Sequence, residues 1–262
     1  MTRPVFLAED LSCVPSSLAV GERATLGGSE GRHAASVRRI GAGEWVDVAD
    51  GRGLRLTCEV VGADKSSLSL VVREVVQEES PRPEIILVQA LAKGGRDEAA
   101  VEICTEIGID RVIPWASQRA IVQWRGPKAE KGRAKWEGVV RAAAKQSRRA
   151  YVPVVEAVTD SRELASWVRA LTDEAGAAFV CHEEATQSLG AALARVQGDA
   201  TDGSLPARVA LIVGPEGGIG PEETAQLVAA GARTVGLGAN VLRSSTAGAV
   251  ALTLIRAAVG AY

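Results

Sequence analysis

Leu211-Ile212-Val213-Gly214-Pro215-Glu216-Gly217-Gly218-Ile219-Gly220-Pro221-Glu222-Glu223 is an apolar run that stops in a glycine-rich loop and resumes as a helical pattern. A second stretch is built the same way: Leu237-Gly238-Ala239-Asn240-Val241-Leu242-Arg243-Ser244-Ser245-Thr246-Ala247. Each follows a short apolar run and precedes a helix, which is where ligand-binding loops sit at the carboxyl ends of strands in an α/β sheet. Gly214, Gly217, Gly218 and Gly220 allow close backbone approach or positive φ, and Pro221-Glu222-Glu223 has the composition of a first helical turn. One such loop alone reads equally as a ligand cradle or an ordinary strand-to-helix turn. Taken together, the two read as the walls of one site.

Outward from these loops the α/β order continues towards the N-terminus. Residues 85–90 and 111–114 read as strands, with a helix over 97–107 between them closed by Gly108. A long helix is expected over 128–149, with Trp136, Val139 or Val140, Ala143 and Ser147 on one stripe and Arg141, Lys145 and Arg148 or Arg149 on another. Helices over 161–171 and 188–196, strands over 177–181 and 234–237, and a last helix over 246–261 complete the pattern. Residues before Glu78 read instead as mostly β. Val5-Phe6-Leu7 is followed by a brief helix over 29–40 capped by Ser29, then by strands over 45–48, 54–61 and 68–76, with a hairpin signal at Asp50-Gly51-Arg52-Gly53. A small barrel follows from such short strands and turns. The polar, proline-broken run Glu78-Glu79-Ser80-Pro81-Arg82-Pro83-Glu84 marks the boundary, giving domains at 1–78 and 79–262.

Composition narrows the function classes. With 262 residues, 47% hydrophobic and 24% charged, the chain is an ordinary globular one with no apolar run of membrane-span length and no secretory signal behind Met1, so a cytoplasmic protein is expected. Cys13, Cys58, Cys104 and Cys181 are too scattered to suggest a disulfide framework or a zinc site. The net charge of −2 hides a basic stretch, residues 111–149, with eleven Lys or Arg against Glu130 and Glu137.

The glycine loop lacks the lysine of a G-x-x-x-x-G-K-[ST] loop and does not match G-x-G-x-x-G. Glu216 within it disfavours a phosphate cluster and tolerates a neutral or cationic ligand, so a hydroxyl-rich, positively charged cofactor suits it better than a nucleoside triphosphate. His33 and His182 are the only histidines and neither adjoins a G-x-S-x-G, which argues against triad hydrolases. His182-Glu183 reads as a functional pair or as a polar strand end.

Val213-Gly214-Pro215-Glu216-Gly217-Gly218, then Leu237-Gly238, Val241-Leu242-Arg243 and Thr246-Ala247, is similar to the closing motifs of SPOUT-class RNA methyltransferases, and specifically resembles the RsmE family. Lys93-Gly94-Gly95-Arg96, Glu102, Cys104-Thr105-Glu106-Ile107-Gly108, Pro114, Arg119, Lys135-Trp136, Ala143, Gln146-Ser147, Arg149, Pro153 and His182-Glu183 fall in that family's order. His33, Val37 and Arg39 before the Asp50-Gly51 turn resemble its RNA-binding module. The resemblance covers nearly the whole chain. It implies methylation of uridine N3 in 16S ribosomal RNA of the small subunit, S-adenosylmethionine as donor, and a homodimer whose active site uses both subunits. It further implies a PUA-like RNA-binding β-barrel at 1–78 and, at 79–262, a SPOUT domain with a C-terminal trefoil knot that binds cofactor and dimerises. A ribose 2′-oxygen methyltransferase of the same class and a non-catalytic RNA-binding or ribosome-assembly factor are the alternatives.

Carried onto this sequence, the resemblance makes Val213, Gly214, Pro215, Glu216, Gly217, Gly218, Leu237, Gly238, Val241, Leu242 and Ala247 the cofactor-binding set. In it, glycine backbone groups satisfy an adenine edge while Leu237 and Leu242 cover its faces. Asn240 stands where the family often has Arg, and Ser245 where it usually has Glu. That leaves Arg243 and Thr246 as the catalytic candidates, Arg243 stabilising charge on a uracil carbonyl oxygen or contacting a phosphate or the second subunit. Arg39, Lys93, Arg96, Arg119, Lys145 and Arg149 are the candidate phosphate contacts. With 3% aromatic residues, few stacking platforms are expected, and recognition is expected to rest on RNA shape and backbone.

Overall fold

The computed structural model describes residues 3–261, which fall into two compact units: residues up to Ser80 together with Arg141–Val152, and Pro81–Val140 together with Pro153 onward. The first unit contains β1 (Val5–Leu7), β2 (Arg23–Leu26), helix α1 (Gly28–Arg32), β3 (Trp45–Ala49), β4 (Leu54–Ala63) and β5 (Leu68–Gln77) in a sheet ordered β1-β3-β4-β5-β2. β1 runs parallel to β3 and the other pairs are antiparallel. Phe6, Leu26, Val46, Leu56, Leu68 and Leu70 fill its core. The hairpin from β3 to β4 is closed by Asp50 Oδ1, which accepts from the amides of Arg52 (2.7 Å) and Leu54 (3.0 Å), with Gly51 and Gly53 at positive φ.

Departures from the expected elements have local causes. Ser29 does not cap a helix; its hydroxyl donates to Asp10 Oδ2 (2.9 Å), and the helix continues as a single π turn over His33–Val37 that ends before Arg39, whose φ is 56°. β2 is half exposed and too short to stand out in sequence. The segment 141–152 returns to this unit through Lys145 Nζ on Glu30 Oε1 (2.6 Å), Arg55 Nη2 on the Arg148 carbonyl (3.0 Å) and Tyr151 Oη on the Glu78 carbonyl (3.0 Å).

In the second unit, β6 (Glu84–Ala90), α2 (Arg96–Ile107), β7 (Arg111–Ala116), α3 (Pro127–Gln146, of which the residues from Arg141 belong to the first unit), β8 (Val154–Val155), β9 (Thr159–Asp160) and α4 (Ser161–Asp173) are followed by β10 (Ala177–Cys181), α5 (Leu189–Asp199), β11 (Arg208–Val213), α6 (Pro221–Ala229), β12 (Arg233–Val235) and α7 (Ser244–Ala258). All strand pairs are parallel, in the order β12-β10-β11-β6-β7-β8, with β9 also on β7. β6 and β11 lie centrally and are apolar along nearly their whole length because helices cover both faces. α2 ends where expected, at Gly108 with φ 123°. α3 ends at Gln146 and not at Arg149: Arg148 takes φ 60° and the Arg149 amide turns back to the Ala144 carbonyl (2.9 Å). Along α3, Val140 is buried and Val139 is not. α7 begins two residues earlier than expected and ends at Ala258, while β12 ends at Val235, leaving Gly236 and Leu237 in the following loop.

Candidate functional site

Because the second sheet is wholly parallel, the loops after β6, β7, β10, β11 and β12 all leave from one edge. The two stretches singled out in the sequence are the loops after β11 and β12. In the first, Val213 is buried, and a Cβ on Gly214 would lie 2.6 Å from Ile219 Cγ1, so only glycine lets Ile219 fold back beneath the loop. The Gly218 amide donates to the carbonyl of buried Pro215 (3.0 Å) with Gly218 at φ 72°, and Gly217 and Gly218 are exposed at the turn.

Two arginines pin this loop. Arg96 Nη1 lies 2.8 Å from Glu216 Oε1, and Arg119 Nη1 donates to the Gly217 carbonyl at 3.1 Å. Desolvation pushes the Glu216 carboxyl up, but its own backbone amide and the Arg96 guanidinium outweigh that and hold it below the usual carboxylate range. Glu216 thus keeps its negative charge in the loop, paired with Arg96.

Beneath the loop lies fully buried Glu223, on the first turn of α6. Its Oε1 accepts from the Gln118 amide (2.8 Å) and from the Ser161 hydroxyl, and its Oε2 accepts from the Gly220 amide (3.3 Å). Ser161 Oγ in turn accepts from Trp115 Nε1 (3.2 Å). One carboxylate thus ties the loops after β7 and β11 to the start of α4. In the sequence Glu223 is only a first-turn acid; full burial is what gives it this role.

The other wall runs from Gly236 to Ala247. Gly236 is held by its amide on the Gln187 carbonyl (2.8 Å) and by its own carbonyl accepting from Leu189 (3.0 Å). Gly238 has φ 129° and open space where a Cβ would point; Leu237 and Leu242 are half-buried, and Val241 is 74% exposed. Arg243 is the N-cap of α7, its carbonyl accepting from the amides of Thr246 (2.8 Å) and Ala247 (2.9 Å). Its side chain is exposed and, among the described residues, makes no ion pair, and Thr246 is exposed beside it. Ala247 is buried, and Asn240 and Ser245 lie in the loop and the first turn. Sequence reasoning missed Gln89 and Ser244. Gln89 Nε2 donates to buried Ser244 Oγ at 2.9 Å, tying the start of α7 to the end of β6, and Gln89 Oε1 stays buried with no partner among the described residues. A glutamine in an otherwise apolar strand was the available signal.

The six basic candidates divide between the two units. Exposed Lys93 and Arg119 and half-buried Arg96 share the sheet edge with the glycine loop. Arg39, Lys145 and Arg149 belong to the first unit, Arg39 exposed, Lys145 paired to Glu30, and Arg149 half-buried just past α3. His182 Nδ1 accepts from the Glu184 amide (3.2 Å), which favours the polar strand-end reading.

Comparison with known proteins places this arrangement. Residues 78–256 match the RNA methyltransferase domain, and residues 26–73 match the RNA methyltransferase PUA domain. The ribosomal RNA small subunit methyltransferase E of Mycobacterium bovis is 43% identical over 232 residues, 88% of this chain and 85% of that one. The Bacillus subtilis protein of the same name is 28% identical over 229 residues, 87% of each. The crystal structure of a ribosomal RNA small subunit methyltransferase E from Neisseria gonorrhoeae bound to S-adenosyl methionine has a TM-score of 0.80 at 25% identity, covering 98% of both chains. The fold is a PUA-like domain followed by a parallel-sheet, SPOUT-type methyltransferase domain. With this length of match and these loops at the sheet edge, the chain belongs to the ribosomal RNA small subunit methyltransferase E family of RNA methyltransferases.

Proposed function

We propose that this protein transfers a methyl group from S-adenosylmethionine to N3 of a uridine in 16S ribosomal RNA of the small subunit. The observation that carries the reading is the convergence of the loops 214–220 and 236–247 on one edge of the sheet in a chain of this family. The residues present fit the cofactor. Gly238 leaves room for close backbone approach, Val241, Leu237 and Leu242 offer apolar cover, and Gln89 Oε1 is an unspent buried acceptor at the end of the strand beside α7. When bound, the cofactor supplies a sulfonium methyl. The chain aligns the acceptor and helps N3 lose its proton. Arg243, exposed at the start of α7 and unpaired among the described residues, stabilises negative charge spreading onto a uracil carbonyl oxygen, with Thr246 beside it.

Val213 to Gly218, Leu237, Gly238, Val241, Leu242 and Ala247 form the cofactor wall in this reading. The domain at 1–78 binds RNA with Arg39, while Lys93, Arg96 and Arg119 contact phosphates near the target. Lys145 is better placed as a brace for Glu30 than as a phosphate contact. The domain at 79–262 is knotted and dimerising. Support for the knot comes from β11 lying between β10 and β6 and from α7 packing back on β6 and α2. Support for the dimer comes from Ile103 and Leu254, 40% and 39% exposed on the adjoining helices α2 and α7. No helix among the described residues is long and apolar enough to cross a membrane, and the proposed ribosomal RNA substrate supports a cytoplasmic enzyme.

The test is methylation of small-subunit ribosomal RNA, free and assembled, by purified protein with labelled S-adenosylmethionine, followed by nucleoside mass analysis. N3-methyluridine is the expected product. A 2′-O-methylated nucleoside, or cofactor binding without any transfer, would overturn the reading.

A further inference from the structure

We propose that the hollow between the loop after β7 and the start of α3 is a subsite for a single-stranded ribonucleotide flanking the target uridine, with its base against Trp124 and its phosphates on Lys128 and Lys131. The inference rests on the RNA reading above. The hollow has a volume of about 410 Å³ and is lined by Val122, Gln123, Trp124, Lys128, Lys131 and Lys135, within the range of small-ligand sites.

The aromatic wall is held in place by the fold. Trp124 meets fully buried Trp136 edge to face, with centroids 5.1 Å apart and planes at 71°. A Cβ on Gly132 would fall 2.4 Å from Trp124 Cε2, so the glycine is what lets the indole lie against the helix. Trp124 itself is only half-buried. This is a rooted ring with accessible surface, the form of a stacking platform.

The charge beside it is one-sided. Lys128, Lys131 and Lys135 recur at helical spacing along one face of α3, and Lys128 lies in its first turn, where the helix dipole also favours anions. Lys135 is matched by Glu98, whereas Lys128 and Lys131 are exposed and make no ion pair among the described residues. Cations alone would describe a solvated face; cations around a fixed indole and a hollow match a phosphate together with a base. The same loop carries Arg119, which touches the Gly217 carbonyl, so the strand path continues from the glycine loop.

The test compares the full-length protein with its K128Q/K131Q, W124A and W124F variants, using a single-stranded oligoribonucleotide containing uridine, uridine monophosphate, and S-adenosylmethionine as separate ligands. For K128Q/K131Q, oligonucleotide affinity should fall roughly tenfold at moderate salt, and the slope of log K against log salt should shrink by about 1.4, the value for two lost phosphate contacts on a single strand. W124A should weaken oligonucleotide binding roughly tenfold, with W124F restoring most of it. S-adenosylmethionine affinity should not change in any variant. An unchanged salt slope in K128Q/K131Q would overturn the subsite, as would an effect seen with uridine monophosphate but not with the oligonucleotide. Wild-type protein that binds the oligonucleotide but methylates no uracil in ribosomal RNA would overturn the proposed reaction, and the slope comparison would still decide the hollow.

Discussion

Arg243 and Glu223 define opposite demands on a charged side chain in this site. Arg243 is exposed, carries no compensating acid among the described residues, and rises from the N-cap of α7, so it is available to charge that develops during reaction. Arg243→Ala should lower kcat about 100-fold, the order expected for losing one preorganised charge-stabilising donor, while changing cofactor affinity less than about threefold. Single-turnover kinetics beside calorimetric titration with S-adenosylmethionine separate the two, and a collapse of cofactor affinity with normal turnover at saturation would refute the role. Glu223, fully buried, acts through its acceptors. Glu223→Ala leaves the Gln118 and Gly220 amides and the Ser161 hydroxyl without their acceptor, and should cost about 2–3 kcal/mol of stability, read from the urea midpoint. A loss below about 0.5 kcal/mol would mean that water replaces the carboxylate.

At the scale of elements, the helices differ in how tightly their glycines are held. A Cβ at Gly248 in α7 would lie 3.2 Å from both Cys104 Sγ and Leu87 Cδ1, so α7 sits against β6 and α2 at glycine distance. Gly138 in α3 has nothing within 4 Å. Gly248→Val should therefore destabilise by about 1–3 kcal/mol through overpacking, and Gly138→Ala should stabilise by roughly 0.5–1 kcal/mol by raising helix propensity. Thermal midpoints moving in the same direction for both would contradict this account. These contrasts also mark what the sequence disclosed. Strands such as β6 and β11 were legible because burial on both faces writes a continuous apolar run, and the end of α2 was legible because Gly108 is a local stop signal. The two site loops were legible because glycine is required by local geometry, as at Gly214 and Gly218. What stayed hidden depends on partners distant in sequence: the Gln89–Ser244 bond, the Glu223 junction, and the return of 141–152 to the first unit through Lys145, Arg148 and Tyr151. The end of α3 was hidden for a different reason, because an arginine at φ 60° carries no signature in composition.

At the scale of the molecule, exposed apolar surface bears on how the site is completed. Val241 is 74% exposed in the loop after β12, and Ile103 and Leu254 lie exposed on the adjoining helices α2 and α7. Apolar surface left open on two adjoining helices gains from burial at about 25 cal/mol per Å², and a second copy of the chain offers the same face in return, as a two-fold interface requires. The proposed dimer would form through α2 and α7. Introducing like charges with Ile103→Glu and Leu254→Glu together should convert it to monomer at micromolar concentration, because four carboxylates would have to be desolvated in one contact. Sedimentation velocity checks the mass, and circular dichroism checks that the monomer keeps its fold. If both subunits build the active site, methyl transfer by the folded monomer should fall by at least about tenfold; a folded monomer with full activity would show that one chain completes the site alone.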